Sequence, residues 1–282
     1  MTMSKKRRIK TGPIFLGLPA GLFLLVFFLV PLGYVTVLSF SDPSWGIANY
    51  RELFNSRLFL MTLGNTFWMA VVVTGLSLLL AYPLAYVAAT SKGTLGKTIL
   101  MVVALSFWTS YLVRTYAWMV ILGVQGPVPA LVALFGHSPP PRLLFTSFAA
   151  TLGMTHGLIP FMTMALFAVM KRIDPKLMDA AGSLGARPWR VFWHIYLPLS
   201  APGIINGITL VFITCLGFYV MPVLLGSPRE QTIAGLIGDR MEQVLDFGGA
   251  AAMSLVLLAA SLGLFSVYSR YFGMDRLWGG RI

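Results

Sequence analysis

The chain has 282 residues, of which 57% are hydrophobic without counting glycine and only 11% are charged. A soluble domain has about 45–50% apolar residues even when glycine is counted, and it has too few interior positions to hide a larger share. The composition therefore predicts an all-α integral membrane protein and excludes a separate soluble domain. The net charge of +12 would suggest a nucleic-acid partner on a soluble protein, but in a membrane protein it first requires a topological explanation.

Six apolar stretches are long enough to cross a bilayer, whose core of about 30 Å needs about 20 helical residues. They are residues 14–40, 65–89, 99–121, 144–170, 204–225 and 250–269. The first follows a basic tail, 1–13, and is longer than a signal-peptide core of about 7–15 residues. It is therefore expected to remain as an anchor in the lipid bilayer.

The distribution of Lys and Arg predicts the orientation. If the N-terminus is inside, the inner segments 1–13, 90–98, 171–203 and 270–282 hold fifteen basic residues, and the outer segments hold five. Cytoplasmic segments of membrane proteins collect Lys and Arg, so both termini are expected in the cytoplasm. The same distribution accounts for most of the net charge, and no nucleic-acid partner is expected.

The longest inner segment, 171–203, contains a pattern of two short helices. Asp174 is a good N-cap and is followed by a proline at the first helical position. Gly185 is a natural left-handed stop for that helix. Pro188 can open a second short helix, which Pro198 is expected to end.

This inner segment resembles the EAA loop of the permeases of binding-protein-dependent ABC importers. The matching positions are Asp179-Ala180-Ala181, then Gly185 after three residues, and Ile195-x-Leu197-Pro198 after nine more. The family's Glu is Asp179 here, which keeps the carboxylate but shortens its reach by one methylene. In that family the loop is a coupling helix seated in a groove of the ATP-hydrolysing subunit, and the resemblance implies this role here.

Shorter similarities extend over nearly the whole chain and resemble the spermidine/putrescine-type permease subgroup, which also includes relatives for opines and other small nitrogen compounds. They include Asn49-Tyr50, Asn65-Thr66, Phe107-Trp108-Thr109, Arg114-x-Tyr116 and Gly217-Phe218-Tyr219. The resemblance implies a type I importer permease fold over 14–282 and a small organic solute. That solute would be a polyamine, an opine or a related nitrogen compound.

The resemblance also implies partners in a bacterial inner membrane: two ATPase subunits, a second homologous permease and an extracytoplasmic solute-binding protein. The chain has no GxxxxGK[ST] phosphate loop. It is therefore expected to be non-catalytic and to bind no cofactor itself, while ATP and Mg are used by the partner ATPase.

Four residues are candidates for the solute pathway. Arg114 is the only Asp, Glu, Lys or Arg inside a predicted span, so it should face the bundle interior, a cavity or a partner. It could bond backbone carbonyls, or it could contact a solute carboxylate or a gate. His156 lies on a span loosened by glycines and a proline, where cavities form in transporters, or it bonds a neighbouring helix. Phe218 and Tyr219 could hold an ammonium group or belong to an aromatic belt.

Three outer carboxylates, Asp239, Glu242 and Asp246, are spaced i, i+3 and i+7. This spacing predicts that they share one helical face. Such a face could attract a cationic solute or the basic residues of a docking receptor, or it could be a solvated edge.

Other classes of function fit the sequence less well. A secondary transporter, which is the alternative to an ATP-driven importer, normally carries intramembrane carboxylates, and the predicted spans contain none. An intramembrane enzyme needs a nucleophile–base pair or a metal cluster. Three scattered His and the single Cys215 provide neither, so no metal site is expected. A channel would need a ring-forming filter, and the sequence shows none.

Overall fold

The computed structural model describes residues 12–91, 93–135 and 142–272, and within these ranges it contains helices and no β-strand. The predicted tail 1–13 lies almost entirely outside them, as does the end of the last predicted inner segment. The α-helices in chain order are α1 (Gly12–Ser41), α2 (Ala48–Asn55), α3 (Arg57–Thr90), α4 (Thr94–Trp108), α5 (Tyr111–Leu122), α6 (Pro127–Leu134), α7 (Ser147–Met170), α8 (Pro175–Ser183), α9 (Pro188–Val191), α10 (Leu197–Leu216), α11 (Val220–Leu225), α12 (Ile233–Asp239) and α13 (Phe247–Phe272).

Six described helical stretches are long and apolar enough to cross a membrane. They are Gly21–Ser41, Arg57–Thr90, Tyr111–Leu134, Ser147–Met170, Pro188–Leu216 and Phe247–Val267. The all-helical class and the number of spans predicted from the sequence are confirmed.

Two predicted spans are wrong in their continuity. Residues 99–121 are divided between α4 and α5, because Thr109 and Ser110 have an extended backbone. Residues 204–225 are divided between α10 and α11 by the irregular segment 217–219. Hydropathy does not reveal such breaks, since the residues on both sides are apolar. A break at membrane depth is tolerated where other groups satisfy the freed backbone.

Helix α7 is central and packs most extensively against α3 and α10. Two glycines of α10 make the α7–α10 approach close. A Cβ at Gly203 would lie 3.0 Å from Val169 Cβ and 3.4 Å from Leu166 Cα, and a Cβ at Gly207 would lie 2.5 Å from Met162 Sδ. Small residues allow this approach in a bilayer, where packing rather than the hydrophobic effect holds helices together.

The bundle has two distinct ends, named here by the helices that they carry. At the α8 end, Tyr86 near the end of α3 packs edge-on against Tyr196 with ring centroids 4.8 Å apart. At the α12 end, Thr66 near the start of α3 accepts a hydrogen bond of 2.9 Å from the backbone N–H of Ile233. Helix α3 therefore ties the two ends together.

The two predicted short helices of segment 171–203 are present as α8 and α9, but Pro198 does not end the second. Residues Phe192–Tyr196 form a π turn in which the N–H of Leu197 donates to the carbonyl of Phe192, and the chain continues directly into α10. Pro198 is then the second residue of α10, directly after the π turn, and a proline at a π turn can kink a helix without ending it. The prediction that it stops the helix is wrong for this reason.

Candidate functional site

The segment that resembles a coupling loop exposes its first half. Helix α8 contains no buried residue, and Asp179 and Ala180 are exposed while Ala181 is partly buried. The side chain of Asp174 caps the helix by accepting from the N–H of Lys176 at 2.9 Å. An exposed helix with so few contacts to its own bundle is available to another protein.

Gly185 ends this exposed helix in the way that the sequence predicts. Its φ of +81° is in the left-handed region, which costs an L side chain about 1–2 kcal/mol. The preceding Leu184 is 89% exposed. The turn therefore presents an apolar side chain and a bare backbone side by side.

The second half of the motif anchors the segment instead. Ile195 and Leu197 are partly buried and Pro198 is exposed, at the junction of the π turn and α10. Tyr196, between them, is buried against Tyr86 of α3. The motif thus joins an exposed part on α8 to a part that is held against α3 at the start of α10.

Arg114 lies at the break between α4 and α5 and is only 5% exposed. Its guanidinium donates hydrogen bonds to the backbone carbonyls of Ser106 and Thr109, the latter at 3.3 Å. It also lies over the Tyr111 ring, 5.4 Å from the centroid. Two carbonyls that lose helical partners at the break are therefore satisfied by this side chain.

The other pathway candidates differ in how closely they are connected to this break. Phe218 lies in the break between α10 and α11 and packs edge-on against Tyr111, with the two ring centroids 5.0 Å apart. His156 accepts a hydrogen bond at Nδ1 from Trp118 Nε1 at 3.1 Å, so the ring's other nitrogen carries the proton when the imidazole is neutral. Tyr219 is 52% exposed. The structure thus brings Arg114 and Phe218 together through Tyr111, and bonds His156 to α5.

The three outer carboxylates do not share one helical face, so that prediction is wrong. After Asp239 the helix widens into a π turn, Arg240–Val244, and it ends at Leu245, whose φ is +57°. Asp246 lies beyond this end, where it pairs with Arg240 and accepts from the N–H of Gly249 at 2.8 Å. Asp239 instead accepts from Gln231 and Gln243. The spacing i, i+3, i+7 gives a common face only in an uninterrupted α-helix.

A further polar cluster at the α12 end was not anticipated from the sequence. Glu230 accepts hydrogen bonds from the hydroxyls of Ser147 and Ser227 and from the N–H of Ser227, the last at 2.9 Å. Asn65 of α3 donates to the carbonyls of Arg229 and Gln231 on either side. This cluster, the Glu230 clamp, ties the connection between α11 and α12 to α3 and to the start of α7. The Ser-x-x-Glu spacing of a capping box was its sequence signal.

The Glu230 clamp should make stability depend on pH. Burial alone would raise the pKa of the Glu230 carboxyl, but the hydrogen bonds from Ser147 and Ser227 outweigh it and lower the pKa below its usual value. A lowered pKa in the folded state stabilises the fold above the unfolded pKa of about 4.3, and this contribution is lost as pH falls through the folded value. We therefore expect Glu230→Gln to lower the thermal unfolding midpoint at pH 7 and to approach wild type below about pH 4.

The control for this pH dependence is Glu242→Gln, because Glu242 is exposed and makes no hydrogen bond or ion pair within the described residues. Its unfolding midpoint should follow that of wild type at every pH. A difference between Glu230→Gln and wild type that stays constant from pH 7 to pH 3 would contradict the role of the carboxylate.

Comparison with known proteins identifies the family. Residues 81–272 match the family described as the inner membrane component of binding-protein-dependent transport systems. The spermidine/putrescine permease PotB of Haemophilus influenzae is 33% identical over 219 residues, covering 77% of this chain and 76% of its own. PotB of Escherichia coli K12 is 30% identical and covers 82% and 84%.

A solved structure shares the fold. It is a bacterial alginate ABC transporter in complex with a pentasaccharide-bound periplasmic protein, with a TM-score of 0.73, 19% identity and coverage of 95% of both chains. The family match overturns the alternative of a secondary transporter without an ATPase, because members of this family work with ATP-hydrolysing subunits and extracytoplasmic binding proteins. The chain belongs to the binding-protein-dependent transport family and is a multi-pass inner-membrane permease subunit of an ABC importer, itself non-catalytic.

Proposed function

We propose that this permease moves a small organic cation of the polyamine type inward across a bacterial inner membrane, driven by ATPase subunits that dock on α8. The observation that carries the ATPase contact is the combination of an EAA-like motif with a helix that exposes Asp179 and Ala180 and contains no buried residue. The solute class is supported by the PotB relatives, whose names specify spermidine and putrescine.

The geometry of Arg114 favours a polyamine over an opine. A zwitterionic solute would use a guanidinium that is free to meet its carboxylate, but that of Arg114 is directed at the carbonyls of Ser106 and Thr109. Exposed aromatic side chains such as Trp108 and Tyr219 can attract ammonium groups by cation–π interactions. A cation without a carboxylate suits both features.

The working assembly contains this chain, a second homologous permease, two ATPase subunits and an extracytoplasmic solute-binding protein. ATP closes the ATPase pair and draws α8 and its counterpart with it. The bundle then shifts from inward-open to outward-open and receives solute from the binding protein, and hydrolysis resets it. This is a population shift between two conformations, biased by nucleotide.

The test is uptake by the reconstituted complex with its own binding protein. Labelled spermidine or putrescine should accumulate only with ATP, and an excess of unlabelled polyamine should compete while opines and amino acids should not. Accumulation of a carboxylated solute in preference to both polyamines would overturn the proposed solute class.

The orientation follows from the basic residues and gives a separate prediction. Cysteines are placed at the exposed positions Asn55 and Gln243 of the α12 end, and at Lys97 and Ser183 of the α8 end, in a Cys215→Ser background. In intact cells an impermeant maleimide should label the first two, and it should reach the second two only after permeabilisation. Cys215 is 1% exposed, so the wild-type protein should not be labelled and serves as the negative control. The reverse pattern would place α8 on the side that has no ATP.

A further inference from the structure

A groove runs between α7 and α10 and has two parts. The part at mid-depth is an apolar cavity of about 480 Å³, which α4 borders with Phe107 and Trp108, α7 with Phe161 and Met164, and α10 with Leu210. The lining of the groove at this level is therefore aromatic and aliphatic and includes no charged side chain.

The second part of the groove opens at the α8 end. It is a cavity of about 590 Å³ bordered by Ala168 and Arg172 of the α7 side, by Asp174, and by Pro202 and Asn206 of α10. Met164 and Ala168 on α7, like Asn206 and Leu210 on α10, are four residues apart and so lie on one helix face. The two cavities are therefore consecutive parts of the same groove, apolar at mid-depth and polar at the α8 end.

The far end of the groove is closed by the Arg114 cluster. Gly157, Phe161 and Met164 follow one another on α7 at intervals of four and three residues, which keeps them on one face. A Cβ at Gly157 would lie 3.3 Å from Tyr111 Cε1 and 3.4 Å from Arg114 Nη1, so these two side chains cover the groove there. The groove is thus open toward α8 and closed toward α12.

Asn206 is the feature of this groove that apolar packing does not explain. It is partly buried, lies about 14 Å along α10 from Leu197, and makes no hydrogen bond within the residues that the structure describes. Its amide has two donor hydrogens and one acceptor oxygen. An unsatisfied amide facing hydrocarbon is costly, so this face of α10 should meet water or solute rather than lipid.

We propose that the α7–α10 groove is the inner half of the solute pathway, filled with water in this inward-open arrangement, and that the Asn206 amide is its polar solute contact. The amide oxygen accepts a hydrogen bond from an ammonium group of the solute. The aromatic walls at mid-depth hold the rest of a flexible cation by cation–π and apolar contact. The inference rests on the proposed function for the direction of transport and the cationic solute.

Water in the groove is tested by the reactivity of introduced cysteines in the Cys215→Ser background. Asn206→Cys is compared with Ile208→Cys, which is at almost the same depth but about 200° around α10 and is 37% exposed. A charged methanethiosulfonate is added from the α8 side of inside-out vesicles holding the full complex. Because only a hydrated, ionised thiol reacts well, Asn206→Cys should react at least about tenfold faster. Equally slow reaction of the two would show lipid or a packed permease partner in the groove and would overturn the proposal.

The solute contact is tested by uptake kinetics with the polyamine as probe. Asn206→Leu should raise the KM for uptake about tenfold or more, the usual effect of losing a hydrogen bond to a charged group, and Asn206→Gln should recover part of it. An unchanged KM in Asn206→Leu would overturn the contact. If wild type transports no polyamine, the proposed solute fails, whereas the cysteine comparison still decides whether the groove is aqueous.

Discussion

Ala180→Trp is expected to abolish solute-stimulated ATP hydrolysis and uptake while leaving the permease folded in the membrane. Ala180 is exposed on α8, so an indole there disturbs no contact within the bundle. It would project from the surface proposed to receive the ATPase and hold the two proteins apart. A loss of at least tenfold in stimulated activity, equivalent to about 1.4 kcal/mol, is expected in the reconstituted complex.

The control for Ala180→Trp is Thr98→Trp, an equally bulky change at an exposed position of the same end of the bundle. Thr98 belongs to α4, and its hydroxyl bonds only the carbonyl of Thr94 in its own helix. This variant should co-purify with the ATPase and retain stimulation. If Ala180→Trp also retains wild-type stimulation and co-purification, α8 is not the docking helix.

Arg114→Gln is expected to destabilise the bundle and to reduce the transport of every solute to the same extent. The change removes the charged donor that bonds the carbonyls of Ser106 and Thr109, in a site only 5% exposed. Leaving buried acceptors without such a donor costs about 1–3 kcal/mol. The thermal unfolding midpoint of the purified complex should fall, and uptake of matched solutes with and without a carboxylate should fall in parallel.

Arg114→Lys provides the graded comparison for this prediction. An ammonium keeps the charge but lacks the planar fork that reaches two acceptors at once, so its unfolding midpoint should lie between those of wild type and Arg114→Gln. A selective loss for the carboxylated solute, with little change in the unfolding midpoint, would show that Arg114 binds solute instead of backbone.

The roles of residues that act only on the adjacent backbone could be predicted from the sequence. Asp174 caps α8 and Gly185 ends it as predicted, because N-caps and left-handed stops depend only on the adjacent backbone. The number of spans was also predictable, since hydrocarbon thickness sets how many apolar residues a helix needs. The coupling role of Asp179 to Pro198 came from resemblance to a family, and it remains a prediction until the docking variants are measured.

Features that depend on distant partners could not be predicted in this way. The carboxylate of Glu230 meets Ser147, which is 83 residues away in the chain, so the Ser-x-x-Glu spacing shows a cap but not the clamp that it completes. The π turn after Asp239 changes the helical register, so the three outer carboxylates do not come to one helix face. The spacing of the charged residues predicts neither this turn nor the end of the helix at Leu245.

The membrane environment, the number of spans and the local helix caps can all be predicted from the amino-acid sequence, since apolar length and nearest-neighbour backbone chemistry control them. The packing of the helices sets where two spans break and which groups satisfy the carbonyls freed at the Thr109 break. It also decided that Asn206 borders an open groove. The groove depends on how closely α7 and α10 approach, and that distance is set by the side chains of both helices together.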